Sequence, residues 1–292
     1  GGTSTITWKN TPMMGQIQIT KKSADDNPFN ALAAGTLLPG ATFEIYNRAG
    51  DLVNTVVTDK NGVAKSDTLP LGRYTIRETK APMFYSAAAQ PIEAEIEFSG
   101  QIVRIEVLNQ SVYTNVSVNK RGYKQVTPSQ TIRYDFKDIA NNSTVPLNSF
   151  YWRDTLPTSA VRLTKIVTGT WNQRLSYKVV YKTNLHDYRT LADNLSTMKN
   201  YSLDASPAAL GLASNEYVTD FMFVFGTVKA GFAQVDAPYI FCWTNSWLNN
   251  SYQFTNRTDV GGMHSGQWIM ATDRWVTTVY KPGVTKLPKT GY

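Results

Sequence analysis

The chain of 292 residues has one cysteine, Cys242, and two histidines, His186 and His264. A lone cysteine excludes an internal disulfide framework, so stability must come from the cores or from a different cross-link. Cys242 stands between Phe241 and Trp243 on an apolar run, where a buried, inert thiol is expected in place of a nucleophile. Neither histidine has a second ligand at metal-binding spacing, and both are expected in turns or at the surface. Gly-x-Ser-x-Gly, His-Glu-x-x-His and phosphate-loop signatures are missing too, and nothing marks out two carboxylates as a hydrolytic pair. No metal, cofactor or enzymatic turnover is expected. The sequence also lacks a leader peptide and an apolar run long enough to cross a bilayer, and it reads as a piece trimmed at both ends.

Twenty-nine Lys and Arg against 22 Asp and Glu leave a net charge of +7. The basic residues are scattered, which argues against nucleic-acid binding and suits a solvated surface or contact with anionic wall polymers. With 42% hydrophobic and 12% aromatic residues, the chain can bury two ordinary cores. Its pattern is all-β. Gln16-Ile17-Gln18-Ile19-Thr20, Gly72 to Glu78 and Val103-Arg104-Ile105-Glu106-Val107 alternate with period two. Gly- and Asn-containing turns such as Asp59-Lys60-Asn61-Gly62 separate such runs. One helix is predicted, over Asp187 to Met198, from the spacing of Tyr188, Leu191 and Leu195. Aromatic residues crowd Tyr217 to Trp275. The run Phe221-Met222-Phe223-Val224-Phe225 predicts a strand buried on both faces, although an exposed subset of the aromatics can also grip a sugar or a host protein.

Four blocks in order carry a resemblance: Gly15 to Lys21, Leu38 to Tyr46, Thr58 to Val63 and Leu71 to Pro82. Residues 15–111 resemble a collagen-adhesin B-type domain, the prealbumin-like module of Gram-positive pilins and adhesin stalks. The departure is Met83-Phe84-Tyr85, where that family has Gly before Tyr. Residues 112–282 resemble an A-type, immunoglobulin-like isopeptide domain. That likeness rests on Val116-Ser117-Val118-Asn119-Lys120, Thr127 to Tyr134, Asp154-Thr155-Leu156-Pro157 and Tyr252 to Gly262, with little signal between Val161 and Trp247. Residues 1–14, where Ile6, Trp8 and Asn10 alternate before Thr11-Pro12, resemble the last strand of a preceding B-type module, or else form a linker. The fold implied is all-β, two β-sandwich domains in tandem.

The B-type resemblance implies a spontaneous amide between a first-strand Lys and a last-strand Asn, assisted by Glu. Parity supports it independently: Ile17, Ile19 and Lys21 share a face, as do Tyr74, Ile76 and Glu78, and Ile105, Val107 and Asn109. Three polar groups, Lys21, Glu78 and Asn109, are therefore expected in the core, with Lys22 pointing outward. The competing arrangement is a buried Lys21–Glu78 ion pair with Asn109 hydrogen-bonded to it. In A-type domains the assisting acid is Asp, which points to Lys120, Asp154 and Asn256. Each shares a face with apolar neighbours: Val116 and Val118, Phe150 and Trp152, Tyr252 and Phe254. Asp154 can instead cap a turn before Thr-Leu-Pro, and Asn245, Asn249 and Asn250 compete with Asn256.

The tail, residues 283–292, holds Leu287-Pro288-Lys289-Thr290-Gly291, which resembles the signal by which sortases anchor Gram-positive surface proteins. It implies transfer of the Thr290 carbonyl, with loss of Gly291, to an amine of a peptidoglycan precursor or another pilin subunit. Trp275 to Pro282 faintly resembles a pilin motif that donates an acceptor lysine, Lys281, with Lys and Pro in reversed order. The expected role is a surface stalk, pilin or adhesin fragment covalently attached to the cell wall or pilus. The alternatives are a ligand-binding adhesin with its site in the aromatic-rich second domain, its host ligand unnamed, and a wall-linked glycan-active enzyme.

Overall fold

The computed structural model describes Gly2 and residues 11–283. The alternation of Ile6, Trp8 and Asn10 and the motif at Leu287 to Gly291 lie outside the described residues. Every regular element among the described residues is a strand, and the chain divides into two compact units, 1–112 and 113–292. No helix there is long and apolar enough to cross a membrane.

The first unit runs β1 (Met14–Ser23), β2 (Thr42–Asn47), β3 (Leu52–Val57), β4 (Val63–Lys65), β5 (Leu69–Pro70), β6 (Gly72–Lys80), β7 (Ile92–Ile96) and β8 (Ile102–Asn109). One sheet sets β4 and β5 against β1 with β8 also on β1, and the other has the order β3-β2-β6-β7. Ile17, Ile19, Phe43, Ile45, Ile76 and Ile96 fill the space between them. In β1 the buried residues alternate strictly with half-exposed ones, the pattern of a strand with one face on a core. The first and last strands, β1 and β8, are parallel neighbours, with Lys21 beside Val107 and Ser23 beside Asn109. The turn before β4 is tied by Asp59, whose Oδ1 accepts the N–H groups of Asn61 at 2.8 Å and Val63 at 3.1 Å. Gly62 closes it at φ 68°, and a Cβ there would sit 2.9 Å from the Leu38 nitrogen.

The second unit runs β9 (Val116–Arg121), β10 (Gln125–Val126), β11 (Thr131–Asn141), β12 (Leu147–Thr155), β13 (Val161–Val167) and β14 (Ser176–Thr183). It continues with β15 (Arg189–Ser196), β16 (Ser202–Asp204), β17 (Val218–Val228), β18 (Tyr239–Thr244), β19 (Gln253–His264) and β20 (Gln267–Val279). Its sheets have the orders β10-β20-β19-β12-β17-β14-β15 and β16-β13-β18-β11-β9. The core is aromatic: Phe136, Trp152 and Phe223 meet edge to face, as do Phe150, Phe225 and Phe232 nearby.

Two expectations fail here. The predicted helix over 187–198 is strand β15. Its pairing with β14 slips between Tyr177 and Val179 and again between Val179 and Val180, and Asn194 takes φ 51°. Residues four apart share a face in a strand as well as in a helix, so Leu191 and Leu195 both pack on the core, while Tyr188, the third residue of the predicted helical pattern, precedes the strand and is 36% exposed. Nor is β17 buried on both faces. Phe221, Phe223 and Phe225 are core, while Met222 and Val224 are half-buried on the outer face.

Candidate functional site

Strand parity carries three polar groups into the core of the first unit. Lys21 comes from β1 and Asn109 from β8 in one sheet, and Glu78 from β6 in the facing sheet. The Lys21 and Glu78 side chains are wholly buried, and Asn109 is 1% exposed. Lys21 Nζ donates to Asn109 Oδ1 and to Glu78 Oε2 at 3.2 Å. Asn109 Nδ2 donates to Glu78 Oε1 at 2.7 Å. The Ala88 N–H, from the segment after β6, donates to Glu78 Oε2 at 2.7 Å, a partner with no sequence signal. Burial pulls the Lys21 ammonium below the usual lysine range, against the raising effect of Glu78. Lys22 points outward to an exposed pairing with Glu106.

The second centre joins the two sheets of its unit. Lys120 of β9 lies in the five-stranded sheet, Asp154 of β12 and Asn256 of β19 in the seven-stranded one, and all three are 0% exposed. Lys120 Nζ lies 2.8 Å from Asp154 Oδ1 and over the rings of Phe136 at 3.9 Å and Tyr134 at 4.4 Å. Burial pulls Lys120 down against Asp154, and pushes Asp154 up against Lys120. Both directions favour a neutral amine beside a protonated acid over an ion pair. Asn256 is near enough to Asp154 and the Tyr134 hydroxyl to influence the ionisation of both. Yet Asp154 Oδ2 and both amide atoms of Asn256 are buried without a hydrogen bond of ordinary geometry. Each such atom costs about 1–3 kcal/mol, so this centre is held in a tense arrangement where the first is fully paired.

Asp154 sits within β12 and caps nothing. Of the competing asparagines, Asn245 is buried but donates to the Ser159 carbonyl at 3.3 Å, while Asn249 and Asn250 are exposed. Tyr252 departs from the expected parity: it is 39% exposed, ahead of β19, and its hydroxyl meets Ser159 Oγ at 2.7 Å. Sequence reading missed Asp273, whose Oδ2 accepts the Lys120 N–H at 2.7 Å. Its signal was there, since Ile269, Ala271, Asp273 and Trp275 of β20 share the inward parity. Cys242 is wholly buried beside this centre, and burial pushes its thiol up, which leaves it unreactive. No cluster of metal-ligating side chains occurs among the described residues.

Residues 15–111 match the SpaA family of prealbumin-like fold domains. A stretch of 85 residues is 33% identical to the trypsin-resistant surface T6 protein of Streptococcus pyogenes serotype M6, covering 29% of this chain and 16% of that protein. Two solved structures align more loosely. BcpA, the major pilin subunit of Bacillus cereus, is 16% identical over 91% of this chain and 69% of its own, at a TM-score of 0.31. The major pilin SpaD of Corynebacterium diphtheriae is 18% identical over 91% and 66%, at a TM-score of 0.30. Superpositions so loose say nothing of function. The chain is all-β, and its first unit has the prealbumin-like fold.

Proposed function

We propose that this chain is part of a Gram-positive surface stalk of pilin or adhesin type. Each of its units is closed by a self-formed amide, Lys21–Asn109 and Lys120–Asn256. The observation that carries this reading is the contact of Lys21, Glu78 and Asn109 with all three side chains buried. A neutral Lys21 amine attacks the Asn109 side-chain carbonyl carbon, the Asn109 C–Nδ2 bond breaks, and the amine proton leaves with Nδ2 as ammonia. Glu78 touches both reacting groups and can hold the proton in passage. The product is neutral, which removes the cost of burying an ammonium. Asp154 does the same work for Lys120 and Asn256. Intact mass should fall short of the sequence mass by two ammonia molecules, with Glu78→Gln and Asp154→Asn each restoring one. A mass equal to that of the uncrosslinked chain sinks the proposal.

Anchoring completes the reading: sortase would join Thr290 to a wall precursor or another pilin, placing the protein on the cell surface. The surface T6 protein supports this location. Incubation with a class A sortase and a glycine-amine probe should label the chain at Thr290. An unlabelled chain beside a reacting control substrate would remove the anchoring step and leave the amides untouched.

A further inference from the structure

The outer face of the seven-stranded sheet carries a built groove that the amide chemistry does not use. Its apolar half, of about 510 Å3, is lined by Tyr151, Met222, Val224, Trp268 and Met270. Trp268 is 52% and Met270 54% exposed, and they lie together in one apolar patch instead of singly. Tyr151 is held in place from three sides. Its hydroxyl donates to Asp259 Oδ2 at 2.7 Å, and its ring meets the Trp268 ring edge to face at 6.0 Å. It also lies over Gly261, where a Cβ would come within 2.9 Å of the ring. The absence of a side chain at Gly261 is what lets an aromatic shelf lie flat across β19.

The groove continues into a second half, of about 580 Å3, that includes Arg257, Thr272 and Arg274. Arg257 and Arg274 are opposite each other in the pairing of β19 with β20, both exposed. Like charges placed directly opposite repel, and neither guanidinium has an acceptor among the described residues. The carboxylates nearby are already engaged. Asp259 takes Arg153 at 2.9 and 3.0 Å as well as Tyr151, and Asp273 accepts the backbone N–H groups of Lys120 and Arg274. Three arginines, Arg153, Arg257 and Arg274, against two carboxylates, Asp259 and Asp273, leave this half of the groove net positive. Met270 and Arg274 point to the same face four residues apart, about 13 Å along the strand.

We propose that this groove binds a carboxylate-bearing glycan. Sugar rings offer an apolar C–H face to Trp268 and Tyr151 and hydroxyls to the Arg153–Asp259 pair, while a uronate carboxylate bridges Arg257 and Arg274, where planar guanidinium matches carboxylate geometry. An extended peptide is the rival ligand. β20 pairs with β10 only at Thr278 and Val279, so its outer edge over 267–277 is open to strand addition. A strand added there lies beside the sheet and not across the face that Trp268, Arg257 and Arg274 share.

The test is titration of the full chain, by calorimetry and tryptophan fluorescence, with a glucuronate–N-acetylglucosamine hexasaccharide. Chitohexaose and a Glu/Tyr peptide serve as comparisons. Saturable binding of the acidic hexasaccharide is expected, weakened at least tenfold for chitohexaose, for Trp268→Ala and for the double variant Arg257→Gln/Arg274→Gln. Every altered side chain is at least half exposed or lies on the outer face, so each variant should keep a cooperative thermal transition close to that of the parent chain. Equal binding of chitohexaose, tighter binding of the peptide, insensitivity to the double variant, or no binding of the acidic hexasaccharide would each overturn the proposal. None of these outcomes touches the amides, which are read by mass.

Discussion

The two lysine centres differ atom by atom. Glu78 accepts from Lys21, Asn109 and Ala88, whereas Asp154 has one oxygen without a partner. A buried carboxyl short of partners favours its neutral form, the direction in which burial moves Asp154. Replacing Asp154 by Asn should strand Lys120 with a folded-state pKa below 10.5, because burial already lowers it and Asp154 was opposing that shift. Between that depressed value and the ordinary one the unfolded chain binds more protons, so stability must rise with pH. Urea unfolding of Asp154→Asn should show the second unit more stable at about pH 9 than at about pH 6, and a flat profile would mean Lys120 is not desolvated as described. These lysines were legible because parity assigns a face to every strand residue. Ala88 was not, because a backbone donor in a loop has no residue type to betray it.

At the level of elements, sequence reading succeeds where strands keep their alternation and fails where they break it. β1 and β9 declared both their faces and their buried lysines. β15 did not, because its bulges interrupt the alternation and the four-residue spacing of Leu191 and Leu195 fits a strand face and a helix face alike. The outer face of β17 was hidden for a related reason: Met222 and Val224 are as apolar as a core position requires, and only the packing shows that they are half-buried on an outer face. Turn chemistry was the easier part. Gly62→Ala should cost the first unit about 1–3 kcal/mol, because φ is positive and the added carbon meets backbone atoms of Leu38 and Lys21. Thermal unfolding should show the loss in the first unit alone, and an unchanged midpoint would contradict the tight fit at this turn.

For the whole molecule, the decisive feature is that β1 and β8 lie side by side and parallel. With Lys21 joined to Asn109, tension entering at one end of the first unit passes through the amide to the other, and the strands between do not extend. Lys21 and Asn109 are 88 positions apart, which is roughly 300 Å of extended chain. Single-molecule pulling should therefore show Lys21→Ala lengthening by about that amount when the first unit yields, and an extension identical to that of the parent chain would show that no bond was there to lose. The proposed amide would also make the segment from Lys21 to Asn109 a ring. A protease that cuts an exposed stretch of it, such as residues 28–36, opens the ring without releasing a piece. With that amide in place the nicked unit would remain one branched molecule, still joined to whatever precedes and follows it, and a single cleavage there would leave the proposed stalk unsevered.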